Sequence, residues 1–310
     1  MKNLKECIIE SIFDVEDNID NVDESIKDQI KQFLNDNFKN ASKCKISEKP
    51  NKEGKFEVSS NGDIEVKNQQ ITSLTNGSFI WTNIKGDFSC DDCNSLKSLE
   101  GAPKEVGGDF YCNYCNSLTS LEGSPKKVGR DFKCVYCKSL ISLKGAPEKV
   151  EREFSCGNCI SLTSLEGSPK EVGREFYCND CNSLITLKGA PEKVKAFNCG
   201  YCKSLTSLEG APEEVEDFSC TYCTSLISLK GAPEEIKGSF YCQYCTSLTS
   251  LKGAPKEVGG YFSCHNCTSL ASLEGAPKEV GGVFCCAACY KKFYKDDVEK
   301  LSNIKGGIKI

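Results

Sequence analysis

The chain has 310 residues, with 39 Lys and Arg against 44 Asp and Glu, 23 Cys and a single His. Ten of the acids and five of the Lys lie before residue 43, so the remainder is close to neutral and lacks the basic stripe of a phosphate-backbone binder; no nucleic acid partner is expected. No 18-residue apolar run occurs, so no membrane span is predicted, and Met1 to Phe13 mixes Lys2, Lys5, Glu6 and Glu10 among its apolar residues, unlike a secretory signal.

Residues 1–42 read as an N-terminal helical region. A short helix is expected over Leu4 to Phe13 and an acidic linker or solvated helix end over Asp14 to Asp23. A second helix follows, with Ile26, Ile30, Phe33, Leu34 and Phe38 on one face. Residues 43–85 change to a period of two: Cys44 and Ile46, then Phe56 and Val58, alternate with polar residues around the turn Pro50 to Gly54. Asn61-Gly62 is a second tight-turn signal. A small antiparallel meander of three strands, the last at Ile64 to Lys67, is expected. Ile64, Val66, Gln69, Ile71 and Leu74 then follow the spacing L-x-L-x-x-N-x-L-x-x-L, a first repeat without cysteine.

Residues 86–289 hold ten units of the form F-x-C-x-x-C-x-x-L-x-x-L, each followed by a Gly-Ala/Ser-Pro turn and an apolar Val or Ile. Their Phe residues are Phe88, Phe110, Phe132, Phe154, Phe176, Phe197, Phe218, Phe240, Phe262 and Phe284, a period of 22 residues shortened to 21 before Phe197 and Phe218. A unit with one short strand at Phe-x-Cys and a turn-rich return path cannot bury its own apolar residues, so the units must stack. With strands about 4.8 Å apart, ten units make a sheet on the order of 45 to 50 Å long. After Cys289 the pattern breaks at Lys292, and Asp296 to Asn303 reads as a short helix, giving residues 290–310 the role of a C-terminal cap.

The run Phe110-x-Cys112-x-x-Cys115-x-x-Leu118-x-x-Leu121 resembles the cysteine form of the leucine-rich-repeat consensus, L-x-L-x-x-C-x-x-L. Leu118-Thr119-Ser120-Leu121 with the Gly-Ser-Pro that follows is similar to short bacterial repeats, of the kind found in bacterial surface antigens and bacteriophage proteins. The resemblance covers about residues 62–290. It implies an α+β repeat protein: a solenoid with a parallel concave β-sheet, a turn-rich convex side, a small helical N-terminal region and a C-terminal cap helix. It also implies partner binding on the concave face and no reaction. Phe and Cys stand here where strand leucines are usual.

The C-x-x-C pairs admit a second reading. Cys90, Cys93, Cys112 and Cys115 form C-x2-C-x18-C-x2-C, a spacing compatible with a zinc ribbon, and ten such pairs could hold zinc or iron-sulfur clusters. Against this, Val66 and Gln69 take both cysteine places in the first repeat, so the frame does not require a metal there. The thiols are therefore expected to be free, buried and apolar in role, with no cofactor, in the cytoplasm or another reducing compartment. Redox catalysis needs a thiolate of lowered pKa at a helix N-terminus or beside a cation, which these strand exits do not supply. With His265 alone, no acid–base constellation can be assembled and the protein is not expected to be an enzyme.

What varies inside the fixed frame is the set of residues flanking the first Cys of each unit. Strand alternation assigns them to the outer face of the concave sheet. Tyr111, Tyr114, Tyr136, Tyr177, Tyr201, Tyr222, Tyr241 and Tyr244, with His265, are the candidate partner-binding residues, since stiff aromatic rings among Ser, Asn and Gly suit recognition of a protein or glycan. The competing reading is a structural spacer whose tyrosines merely pack across strands.

Overall fold

The computed structural model describes residues 4–310, with side chains from residue 21 onward. One helix, α1, runs over Leu4–Asn37. The expected break at Asp14 to Asp23 is absent: neither Gly nor Pro occurs before Pro50, and Asp and Asn alone carry only modest penalties in a helix. Phe38, expected on the helix, instead begins strand β1 (Phe38–Lys39).

The chain then forms β2 (Cys44–Ile46), β3 (Phe56–Ser60), β4 (Ile64–Val66), β5 (Phe79–Ile84) and β6 (Phe88–Ser89). Only the hairpin of the expected meander forms. β2 and β3 are antiparallel, but β3 pairs next with β5 in parallel, while β4 leaves to pair antiparallel with β1 and parallel with β6. In the first repeat Ile64, Val66, Ile71 and Leu74 are buried as predicted, whereas Gln69 is exposed. Asn68 makes the polar contact there, its amide Nδ2 donating to Asn37 Oδ1 at 2.7 Å.

From β4 on, the molecule is the expected repeat solenoid with a parallel sheet. Each Phe pairs in register with the Phe of the next unit, and Ile64 and Ile308 extend the same column at its ends, making twelve rungs. The return path carries a second two-residue strand that periodicity did not disclose, at Glu105–Val106 and the equivalent positions. Those from Glu105–Val106 to Glu171–Val172 form a 7-stranded sheet with β2, β3 and β5, while the later ones belong, with the Phe strands, to one of 17 strands. In a 22-residue unit the two strands meet at a corner. Where one residue is missing the corner straightens, and Lys193–Asn198 and Glu214–Ser219 each become a continuous six-residue strand. The deletions thus fuse the two strands of the unit into one.

Phe, both Cys, both Leu and the Val of a unit all point inward and are at most 5% exposed from Phe88 to Cys267. From Phe88 to Phe262 successive Phe rings stack at 5.2–5.6 Å with interplanar angles of 5–22°. The turn after each Leu pair needs glycine. Gly101 to Gly275 at that position have φ between 84° and 95°, and a Cβ on Gly123 would stand 2.4 Å from the backbone of Glu100.

An open-ended core must be closed. At the N-terminal end Ile30 and Leu34 of α1 and an aromatic plug of Phe38, Phe56, Phe79 and Trp81 cover the first Phe rung; Phe38 meets Trp81 edge-on at 5.3 Å, and Trp81 Nε1 donates to the carbonyl of Leu74 at 2.9 Å. At the other end the expected cap helix is shorter than Asp296 to Asn303: α2 (Lys295–Glu299) buries Val298, and Leu301 beyond it is exposed. The chain then adds a partial turn: Asn303–Ile304 pairs with Glu279–Val280, and Gly307–Lys309 with Val283–Cys285.

Candidate functional site: two tyrosine columns

The eight candidate tyrosines occupy two different columns. Tyr111, Tyr177 and Tyr241 directly follow the Phe of their strands, half-buried and separated by units bearing Lys, Ser or Asn. Tyr111 is tied down further: its hydroxyl donates to Asp109 Oδ2 at 2.8 Å, and burial together with that carboxylate pushes its pKa up. The structure brings none of these three into ring contact with another.

Tyr114, Tyr136, Tyr201, Tyr222 and Tyr244 lie beyond the strand, at the residue before the second Cys. That residue is left-handed in all ten units: Asp92, Tyr114, Tyr136, Asn158, Asp180, Tyr201, Tyr222, Tyr244, Asn266 and Ala288 have φ of 54–61°. The expected placement on the outer face of a strand is therefore corrected for these five, because the strand ends three residues earlier and a tight turn re-aims the side chain. The backbone conformation turns each ring along the axis onto the next. Tyr114 and Tyr136 stack at 4.8 Å, Tyr201 and Tyr222 at 4.5 Å, and Tyr222 and Tyr244 at 4.2 Å, all within 7° of parallel.

His265 joins the second stack, edge-on to Tyr244 at 5.3 Å with Nδ1 2.8 Å from Ser263 Oγ, and burial holds its pKa below the usual imidazole value. The result is two patches, a pair and a triple with His265. Asn158 and Asp180 separate them by three rungs, roughly 15 Å. Tyr114, Tyr136 and Tyr201 are 38–45% exposed.

The cysteines form the wall behind this face. From Cys115 on, the second Cys of each unit donates its Sγ–H to the carbonyl of the first Cys one unit back, Cys115 to Cys90 at 3.2 Å and Cys137 to Cys112 at 3.1 Å, and so on to Cys289 and Cys264 at 3.3 Å. Cys90, Cys93, Cys112 and Cys115 are all buried, and among the described residues no three His, Cys, Asp or Glu side chains converge in a group able to hold a metal ion. Burial pushes the Cys93 and Cys112 thiols up, the opposite of an activated thiolate.

Sequence reasoning overlooked the carboxylates just before the Phe column. Asp87 accepts from the amide of Asp109 at 2.8 Å, Asp109 from that of Asp131 at 2.9 Å, and Asp217 from that of Ser239 at 2.8 Å. Arg130 lies 3.4 Å from Asp109, which is only 4% exposed. The repeated Asp-Phe dipeptide was the available signal; these acids satisfy backbone at the corner. A groove of about 990 Å³ follows the Val strands of the shortened units, lined by Val194, Val215, Ala211, Pro212 and several Lys and Glu, and contains none of the candidate residues.

No family model and no curated protein matches the chain. Among solved structures it is similar to a leucine-rich repeat protein from Bacteroides ovatus ATCC 8483, at 14% identity over 86% of this chain and 98% of that one, with a TM-score of 0.30. Among the described residues no helix is long and apolar enough to cross a membrane.

Proposed function

We propose that the chain is a non-enzymatic binding module, of the short bacterial or bacteriophage repeat type, that holds a protein partner against its tyrosine columns. The observation that carries this reading is the left-handed backbone at Tyr114, Tyr136, Tyr201, Tyr222 and Tyr244. A non-glycine residue there costs roughly 1–2 kcal/mol, and Asn or Asp, which fill the same place in other units, tolerate it best. Ring stacking contributes about 0.5–1.5 kcal/mol, enough to offset the strain and not enough to explain choosing tyrosine over asparagine. Strain kept without a gain in stability is characteristic of contact sites.

A protein suits the patches better than the glycan also expected. Sugars stack on open ring faces, whereas these faces are largely covered by one another and present edges and hydroxyls. The concave location, the absence of cofactor and nucleic acid, and a reducing compartment belong to the same proposal; the free thiols of the described cysteines support the last.

The test is a pull-down from the native source with the wild-type chain and with Tyr201→Asn, Tyr222→Asn and Tyr244→Asn combined. The variant should melt with the wild type yet lose the partner. Undiminished capture would reject the tyrosine face, and absence of any saturable partner would favour the spacer.

A further inference from the structure

The N-terminal part of α1 carries a regular apolar pattern. Ile8, Ile12, Val15, Ile19, Val22 and Ile26 follow one another at alternating steps of four and three. That is heptad spacing, with Ile12, Ile19 and Ile26 at a and Ile8, Val15 and Val22 at d. Of the described side chains of α1, Ile26, Ile30, Phe33 and Leu34 pack against the solenoid, while Val22, one turn earlier, is 57% exposed. The helix has 34 residues and is about 51 Å long, several times the stretch from Ile26 to Leu34. Helices in water draw most of their stability from packing an apolar face, and a heptad seam specifies a helical partner.

Charge decides which helix. From Leu4 to Ile26 there are eight carboxylates and Lys5 is the sole cation. Glu16 and Asp23 fall at e, and Ser11, Asn18 and Ser25 at g. A second copy of this chain would bring two such acidic sets together and offer Glu16 and Asp23 no cation.

We propose that the N-terminal part of α1 is a docking site for a basic amphipathic helix of another protein, one that sets Lys or Arg beside its own apolar heptad seam. This surface is separate from the tyrosine columns and would act whether or not they bind.

The experiment uses the full chain and two synthetic three-heptad peptides with the same Ile seam, one bearing Lys at e and g and the other Glu. Fluorescence anisotropy should show the Lys peptide binding at least about tenfold more tightly than the Glu peptide, and weakening as salt screens the charges. Val15→Asp with Val22→Asp should abolish this binding without lowering the melting temperature of the solenoid. Equal binding of both peptides, binding of neither, or binding that survives the two substitutions overturns the proposal. So does sedimentation showing that the chain forms its own dimers or trimers and takes up no peptide.

Discussion

At the scale of single residues, the left-handed turn before the second Cys is where conformation and side chain disagree. Tyr222 is stacked on both sides, at 4.5 Å and 4.2 Å, and sits at φ 59°. Replacing it by Asn removes two stacks and relieves the backbone, so Tyr222→Asn should change stability by no more than about 1 kcal/mol in denaturant unfolding. Leu205→Ala, at a fully buried position of the preceding unit, should cost about 2–5 kcal/mol in the same measurement. The tyrosines themselves were legible in the sequence, but their separation into two columns was not, because C-x-x-C spacing alone does not say where the strand stops. Asp92, Asn158, Asp180 and Asn266 at the same place were the clue, since Asn and Asp favour left-handed turns.

At the scale of elements, the frame was easily read because each column repeats one apolar type, whereas features repeated as pairs or at the ends were not. Asn303-Ile304-Lys305-Gly306-Gly307-Ile308 repeats the pattern of Glu279 to Phe284, yet the missing Phe and Cys concealed the last partial turn. Glu122, Lys144, Glu166 and Lys188 alternate in sign over four successive units and pair across the turns, Lys144 with Glu122 at 2.7 Å and Lys188 with Glu166 at 2.8 Å.

The cysteine columns make a pH prediction. Burial pushes the thiols of Cys112, Cys178, Cys199, Cys202, Cys220 and Cys242 well above the ordinary value of 9.0. A thiol raised in the folded state keeps its full stabilisation below the unfolded value and loses it as pH rises toward the folded one. Stability followed by circular dichroism in reductant should therefore fall as the pH rises above about 9. A stability that does not fall above that pH would contradict the burial of the thiols.

At the scale of the whole molecule, the twelve rungs touch only their neighbours, so stability is a sum along one axis with two special ends. The N-terminal end is closed by aromatic rings and the C-terminal end by a short helix and a partial turn. Ending the chain after Cys289 would remove buried Phe293 and Val298 and uncover the last Phe rung. Hydrogen exchange should then show protection lost in the final two or three units and retained around Phe154 and Phe176. Uniform loss would mean that the array behaves as one cooperative block.

The parallel register has a mechanical consequence. Because strand hydrogen bonds run along the axis, tension applied at the two ends loads the rungs in series, and the weakest boundary yields alone. Each unit of 22 residues would then pay out as a separate increment of roughly 75 Å of extended chain while the rest remains wound. Under load the molecule is a stepwise extensible tether whose length records how many turns have let go.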